Sequence, residues 1–257
     1  MKTKTKDYLD QNFFLDAEGN NLFSIESAEP MQHFCQTDHS ESLLVVGHSS
    51  NSTQKNELTE LVVGLQSNIP LWQQNVTLKW RFNPMFNNYN NSEDVKDYIR
   101  NIFGQAVNKW GDASPIAFME STDEWDFEII MHPNDCNPIG GCTLAKAFFP
   151  GRNQNTLTLY PKLFNQSSTE QIETIIHEMG HIFGLRHYFA QERESSWRSE
   201  VFGTHVPLTI MNYGPNSVLT DQDKLDLHRL YDAVWTGTLQ NINGLPIQLQ
   251  NCYTQIN

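Results

Sequence analysis

Eleven residues, HEMGHIFGLRH at 177–187, hold three of the chain's nine histidines together with one glutamate and two glycines. His177 and His181 are four apart, so on a helix both imidazoles leave the same face one turn apart, near enough to bind one ion. Glu178, next to the first of them, can reach a water on that ion without becoming a ligand. Gly184 accepts the left-handed backbone that stops a helix and reverses the chain, and that turn can bring His187 back as a third nitrogen donor. Three histidines and one open position describe a catalytic zinc site, whereas a structural zinc is closed by four protein ligands, usually including Cys. A lone histidine on a helix is more often a surface or core residue than a ligand, and the bare H-E-x-x-H pattern also occurs by chance. The long form H-E-x-x-H-x-x-G-x-x-H, on a helix that stops where it should, separates this stretch from both.

The elements that must position these residues are legible in the patterning. A helix beginning at Ser168, with S-T-E-Q as a capping box to Gln171, carries the stripe Ile172, Ile175, Ile176, Met179 and Phe183 straight into the motif. Upstream, VTLKWRF (76–82) alternates as a strand. SEDVKDYIRNIFGQAVNKW reads as an amphipathic helix from near Ser92, its buried stripe running from Val95 to Trp110. Short strands are expected at IAFME (116–120), DFEIIM (126–131), LAKAFF (144–149) and NTLTLY (155–160), and a last helix from Thr220. Together they predict an α+β domain, a mixed sheet with helices packed on it. Residues 1–68 read as an N-terminal extension, a prosegment being one reading, with turn-rich HSSNSTQKNE at 48–57. Residues 69–235 form the expected catalytic domain and 236–257 a tail carrying Cys252.

Composition narrows the partners. A formal charge of −13, a pI near 5.0 and no cluster of Lys and Arg argue against nucleic acid and anionic membrane. The longest apolar runs fall far short of the roughly 18 residues of a membrane span. MKTKTKDYLDQNFFLD starts basic but turns to Asp and Gln where a secretory signal would have its apolar core. Of the four cysteines, only Cys136 and Cys142 are close enough to suggest a local bridge. Asn51, Asn75, Asn90 and Asn165 sit in N-x-S/T sequons, most of which chance explains in a chain this rich in Asn and Ser.

The long motif resembles that of the metzincin zinc endopeptidases. LTIMNYG at 208–214 looks like their Met-containing turn, with Met211 as the methionine. The stretch from NIPLWQQNVTLKWRF through AVNKWGDASPIAFME, DFEII and GGCTLAKAFFPG is similar to the matrixin catalytic domain, and LTDQDKLDLHRLYD to its closing helix. The similarity covers about residues 69–234. It implies a twisted, mostly parallel five-stranded sheet with an antiparallel edge strand, an active-site helix and a C-terminal helix. Departures are informative. Lys146 and NTLTLY lack the histidines that hold a structural zinc in matrixins, so none is expected, with His132 and Asp135 left as remnants of that ligand loop. The third ligand and the turn methionine are 211 − 187 = 24 positions apart, so YFAQERESSWRSEVFGTHVP is an insertion expected to flank the primed side of the cleft. Tyr213, two residues after Met211, resembles the turn tyrosine of astacins and serralysins.

The resemblance implies a zinc-dependent endopeptidase. His177, His181 and His187 would hold the one catalytic ion, lowering the pKa of a bound water from about 15.7 to about 7. Glu178 would act as general base, Tyr213 would stabilise the oxyanion or simply pack beside Met211, and Met211 would form an apolar floor. An extended peptide would pair along LAKAFF through the main chains of Leu144 and Ala145, opposite a wall including Pro207 and Leu208. Ca2+ is a second ion that matrixins use, and NDCNPIGG offers oxygen ligands without a fitting spacing. Cys35 lies upstream of the catalytic domain, where a zinc-blocking thiol would be, but its surroundings do not match the family's switch motif; a free or tail-paired cysteine is the plainer reading. The family implies a secreted or exported protein. Alternatives are an exported toxin or effector protease, a catalytically silent zinc-binding protein, and a small-molecule metallohydrolase.

Overall fold

The computed structural model describes residues 33–37, 60–64, 67–133, 136–137, 141–190, 198–203, 209–212 and 217–255. The described order starts with β1 (His33–Thr37), β2 (Glu60–Val63), β3 (Ile69–Trp72) and β4 (Thr77–Phe82), followed by the long helix α1 (Ser92–Trp110). Next come β5 (Ala117–Glu120), β6 (Phe127–Met131), β7 (Cys136–Asn137), β8 (Gly141–Ala147) and β9 (Asn155–Leu159). Helix α2 (Ser168–Ile182) leads into β10 (Leu185–Arg186) and β11 (Glu200–Gly203). Helix α3 (Asp221–Trp235) and the strands β12 (Asn241–Ile242) and β13 (Leu245–Gln250) complete the described order.

The core sheet has the order β8-β9-β6-β4-β5, parallel throughout except for β8, which runs antiparallel to β9. This is the mixed, mostly parallel five-stranded sheet that the patterning and the resemblance imply. Helix α1 is the crossover between the parallel strands β4 and β5. A parallel pair needs such a connection, because a tight hairpin turn joins only antiparallel strands. Two shorter strands add to β8: β7 as an antiparallel neighbour, tied to it by the Cys136–Cys142 disulfide, and β1 as a parallel one. The antiparallel strand expected at the rim is therefore not the rim of the whole sheet. Strand β8 also starts and ends earlier than LAKAFF, releasing Phe148 into the core and Phe149 toward the histidines.

Between sheet and helices lies an aromatic core. Phe103 of α1 packs against Trp80, Phe118 and Phe127, and Trp110 meets Phe183 edge-on at 5.3 Å. Offset and edge-to-face rings contribute beyond their buried area, and here they set the spacing between α1, α2 and the sheet. Helix α2 begins at Ser168 as expected, but its cap is one residue earlier. Ser167, in extended backbone, is its cap and Glu170 closes the box, so the expected pairing of Ser168 with Gln171 is corrected. Gln171 instead faces inward, donating to the Gln166 carbonyl and accepting from the Tyr98 hydroxyl.

Residues 241–254 are built into the fold. Strand β13 pairs in parallel with β3, and β12 closes a hairpin on it across Asn243 and Gly244, both at positive φ. Beyond β13, buried Asp126 of the β5–β6 connection accepts from the Thr254 and Lys79 main-chain amides, both at 2.7 Å. Cys252 is a free, buried thiol here and not a partner of Cys35; burial and nearby Asp126 push its pKa up. Among the described residues no helix is long and apolar enough to cross a membrane.

Candidate metal centre

His177, Glu178 and His181 occupy the last turns of α2 and are buried, Glu178 and His181 completely. The helix ends at Ile182 and Gly184 follows at φ +90°. A Cβ at Gly184 would come within 2.8 Å of the Pro70 carbonyl and 2.9 Å of Leu71 Cδ2, so glycine is required both for the turn and for the close pass over β3. The chain then returns through β10 to buried His187. The three expected ligands converge, with one donor atom from each lying within 4.8 Å of the others. Among the described residues this is the one cluster of its kind.

Main-chain carbonyls orient the rings. His177 Nδ1 donates to the Ile210 carbonyl at 2.7 Å and His181 Nδ1 to the Leu185 carbonyl at 2.8 Å. A nitrogen facing a carbonyl must carry the proton, so in each neutral ring Nε2 presents a lone pair. Burial, together with the charges of His187 and His177, pushes the His181 pKa well below the ordinary imidazole range and keeps it neutral. The two Nε2 atoms lie 3.2 Å apart. Two lone pairs face each other at that distance, an arrangement that a shared cation resolves. Nitrogens at 2.0–2.1 Å from a tetrahedral zinc would be about 3.3 Å apart. The donor set and its spacing therefore fit zinc. Phe149 meets the edge of His181 at 5.7 Å and Phe189 stacks on His187 at 5.0 Å and 11°, giving the site an apolar shell.

Met211 lies buried under α2 opposite Gly180. A Cβ at 180 would overlap its sulfur and sit 3.1 Å from its terminal methyl carbon, so a side chain here would require the Met211 side chain to shift. The turn is fixed from below: Thr209 donates to Asp223 of α3 and accepts from the Met211 amide, while the Met211 carbonyl accepts from the Tyr188 amide. Asp223 in turn closes the Thr220 capping box of α3.

Two residues that sequence reasoning did not single out hold the end of α2. Trp72 Nε1 donates to the Ile182 carbonyl at 2.6 Å and the Tyr231 hydroxyl to the Phe183 carbonyl at 2.9 Å. These are carbonyls that a helix end leaves without intrahelical partners. Trp and Tyr combine an apolar body with a polar tip, but nothing in their spacing announces this use. Of the expected peptide-binding residues, Leu144 and Ala145 lie buried in β8, and the Leu144 carbonyl accepts from the Tyr160 amide on the sheet side. Tyr213, Pro207, Leu208 and Asp135 lie outside the described residues. His132 is exposed, with its ring 6.0 Å from that of Tyr160. Lys146 is in β8.

A mixed sheet packed on a helix that carries two of three buried, convergent histidines, with a glutamate beside the first of them and the third returned after the helix by β10, is the arrangement of a metal-dependent hydrolase of the zincin type. Residues 71–196 match the family model of the matrixin peptidases. Those residues, just under half of the chain, form a matrixin domain, and with the three-histidine cluster inside it the match supports a zinc metalloprotease. No curated protein gives a significant match. Among solved structures the chain is similar to myroilysin, at 16% identity and a TM-score of 0.41, covering 66% of this chain and 98% of that one. It is also similar to high choriolytic enzyme 1, a hatching enzyme zinc-protease from Oryzias latipes (medaka fish), at 14% identity and a TM-score of 0.36, covering 63% and 94%.

Proposed function

We propose that the chain is a zinc endopeptidase that cuts extended protein or peptide substrates. The observation carrying this reading is the buried triad with Glu178 retained beside it; a silent zinc-binding protein would have no use for the base. Zinc, when bound, supplies the positive charge that acidifies a water and polarises the scissile carbonyl. Glu178 takes the proton of the attacking water and delivers it to the leaving amine. The Ile210 and Leu185 carbonyls keep two ligand rings in place while this happens, and Phe149 and Phe189 limit solvent access. Tyr213 assists by donating to the oxyanion, and Pro207 and Leu208 contribute to the wall facing the substrate.

The edge of β8 is the peptide-binding strand of this proposal, by main-chain pairing at Ala145 more than at Leu144. Strand β1 now pairs there, with Phe34 opposite Thr143 and Gln36 opposite Lys146. That pairing supports reading the first part of the extension as a prosegment that leaves before substrate enters. Export as a secreted protease or effector is compatible with it.

The test is digestion of a denatured-protein mixture by the purified chain, with and without a zinc chelator, beside Glu178→Gln. Zinc-dependent cleavage that the variant loses while still binding zinc is expected. Equal cleavage by variant and parent would refute the mechanism.

A further inference from the structure

Residues 60–64 precede the matrixin match and belong, by composition, to the N-terminal extension. In the fold they are central. Strand β2 is the middle of a three-stranded antiparallel sheet, β10-β2-β11. On one side Val63 pairs with Leu185 and Val62 with Arg186, the two residues between Gly184 and His187. On the other side β2 pairs with Glu200–Gly203, part of the insertion after the third ligand.

What β2 holds matters to the metal centre. The Leu185 carbonyl orients His181, and His187 follows Arg186 directly. Strand β10 therefore governs two of the three ligand rings, and two residues cannot hold a strand geometry without a partner to pair with. The contact is tight. Val63 is completely buried, and Gly64 sits at φ +117°. A Cβ at Gly64 would come within 3.0 Å of Leu245 Cδ2 and 3.2 Å of the Arg198 carbonyl, so the chain is clamped between the insertion and the C-terminal hairpin. By contrast, among the described residues β1 pairs with one strand only, β8, at the outer side of the sheet.

We propose that residues 60–64 are a positioning clip of the zinc site and a permanent part of the active protein, so that the removable part of the N-terminal extension ends before Glu60. The inference rests on His177, His181 and His187 being the zinc ligands. It divides the extension in two: an arm that can leave and a strand that cannot.

The test compares two prolines in the full chain. Val62→Pro removes a ladder amide from a strand paired on both sides, where proline is not accommodated. Phe34→Pro disturbs only the outer strand β1. Zinc affinity is read by competition with a chromophoric chelator, and protection of the amides at 185–187 by hydrogen exchange. Val62→Pro should weaken zinc about 10-fold or more, the scale seen when support of a metal ligand is lost, and should speed exchange at 185–187. Phe34→Pro should change neither. Parent-like zinc affinity and protection in Val62→Pro would overturn the proposal. Should Val62→Pro fail to fold, chains beginning at residues 57 and 66 decide. The first should fold and hold zinc as the parent does, and the second should do so only with a synthetic peptide of residues 58–66 added. Equal behaviour of the two overturns the proposal. A parent chain that takes up no zinc refutes the ligand assignment instead.

Discussion

Gly180 and Gly104 are both helical glycines, and they should respond to alanine in opposite ways. Gly104 lies within α1 with nothing inside 4 Å of a Cβ built there. Gly104→Ala should stabilise the protein by about 0.8–1 kcal/mol, the ordinary gain from replacing a mid-helix glycine. Gly180→Ala has the same intrinsic gain, but its methyl would overlap the Met211 sulfur. Met211 is buried and its turn is tied to Thr209, Asp223 and Tyr188, so it has little room to give way. Overpacking of this kind costs about 1–3 kcal/mol, which puts Gly180→Ala between neutral and about 2 kcal/mol less stable than the parent. The two variants should therefore differ by about 1–3 kcal/mol, or roughly 3–9 °C in thermal midpoint at about 3 °C per kcal/mol for a domain of this size. Urea denaturation of the zinc-loaded proteins measures it. Because Ile210 orients His177 from the residue before Met211, Gly180→Ala should also bind zinc more weakly. The double variant with Met211→Ala should cost less than the sum of its parts, since the methyl then fills the space the methionine leaves. Equal stabilisation by Gly180→Ala and Gly104→Ala would show that the methionine does not press on the helix, and would refute the reasoning.

Other perturbations test separate links. Trp72→Phe keeps the apolar body but leaves the buried Ile182 carbonyl without its indole donor, and should lower stability by about 1–3 kcal/mol in urea titrations. Ser167→Ala should cost about 1 kcal/mol through loss of the α2 cap, while Ser168→Ala stays within about 0.5 kcal/mol of the parent by thermal melting. Removing zinc with a chelator should lower the thermal midpoint. Readdition to about 100 times the dissociation constant should recover about 2.7 kcal/mol. Zinc affinity should fall as pH is lowered, because protons compete for the Nε2 lone pairs, and titration calorimetry at several pH values reads the slope.

The site was legible where chemistry and local geometry coincide. The spacing of His177 and His181 follows from helical periodicity, and Gly184 marks the turn because few other residues accept its backbone. The strands 76–82 and 126–131 and the helix from Ser92 were equally plain, since alternation and the 3.6-residue period are properties of each segment alone. The capping box of α2 was misplaced by one residue because Ser167 and Ser168 are chemically identical. The fold chose the one whose backbone is extended and whose third neighbour is a carboxylate.

What the sequence determined by itself was the three histidines, the glutamate beside the first of them and the elements that carry them, because side-chain type and short-range spacing are written in it. Only the tertiary structure decided who holds those donors: the Ile210 and Leu185 carbonyls on two rings, Trp72 and Tyr231 at the end of α2, β1 on the outer side of β8, β2 beside β10, and β13 beside β3. Every residue has a main-chain carbonyl and all but proline have an amide. No residue type therefore advertises which of them will be used, and pairing between distant segments becomes visible only once the chain has folded.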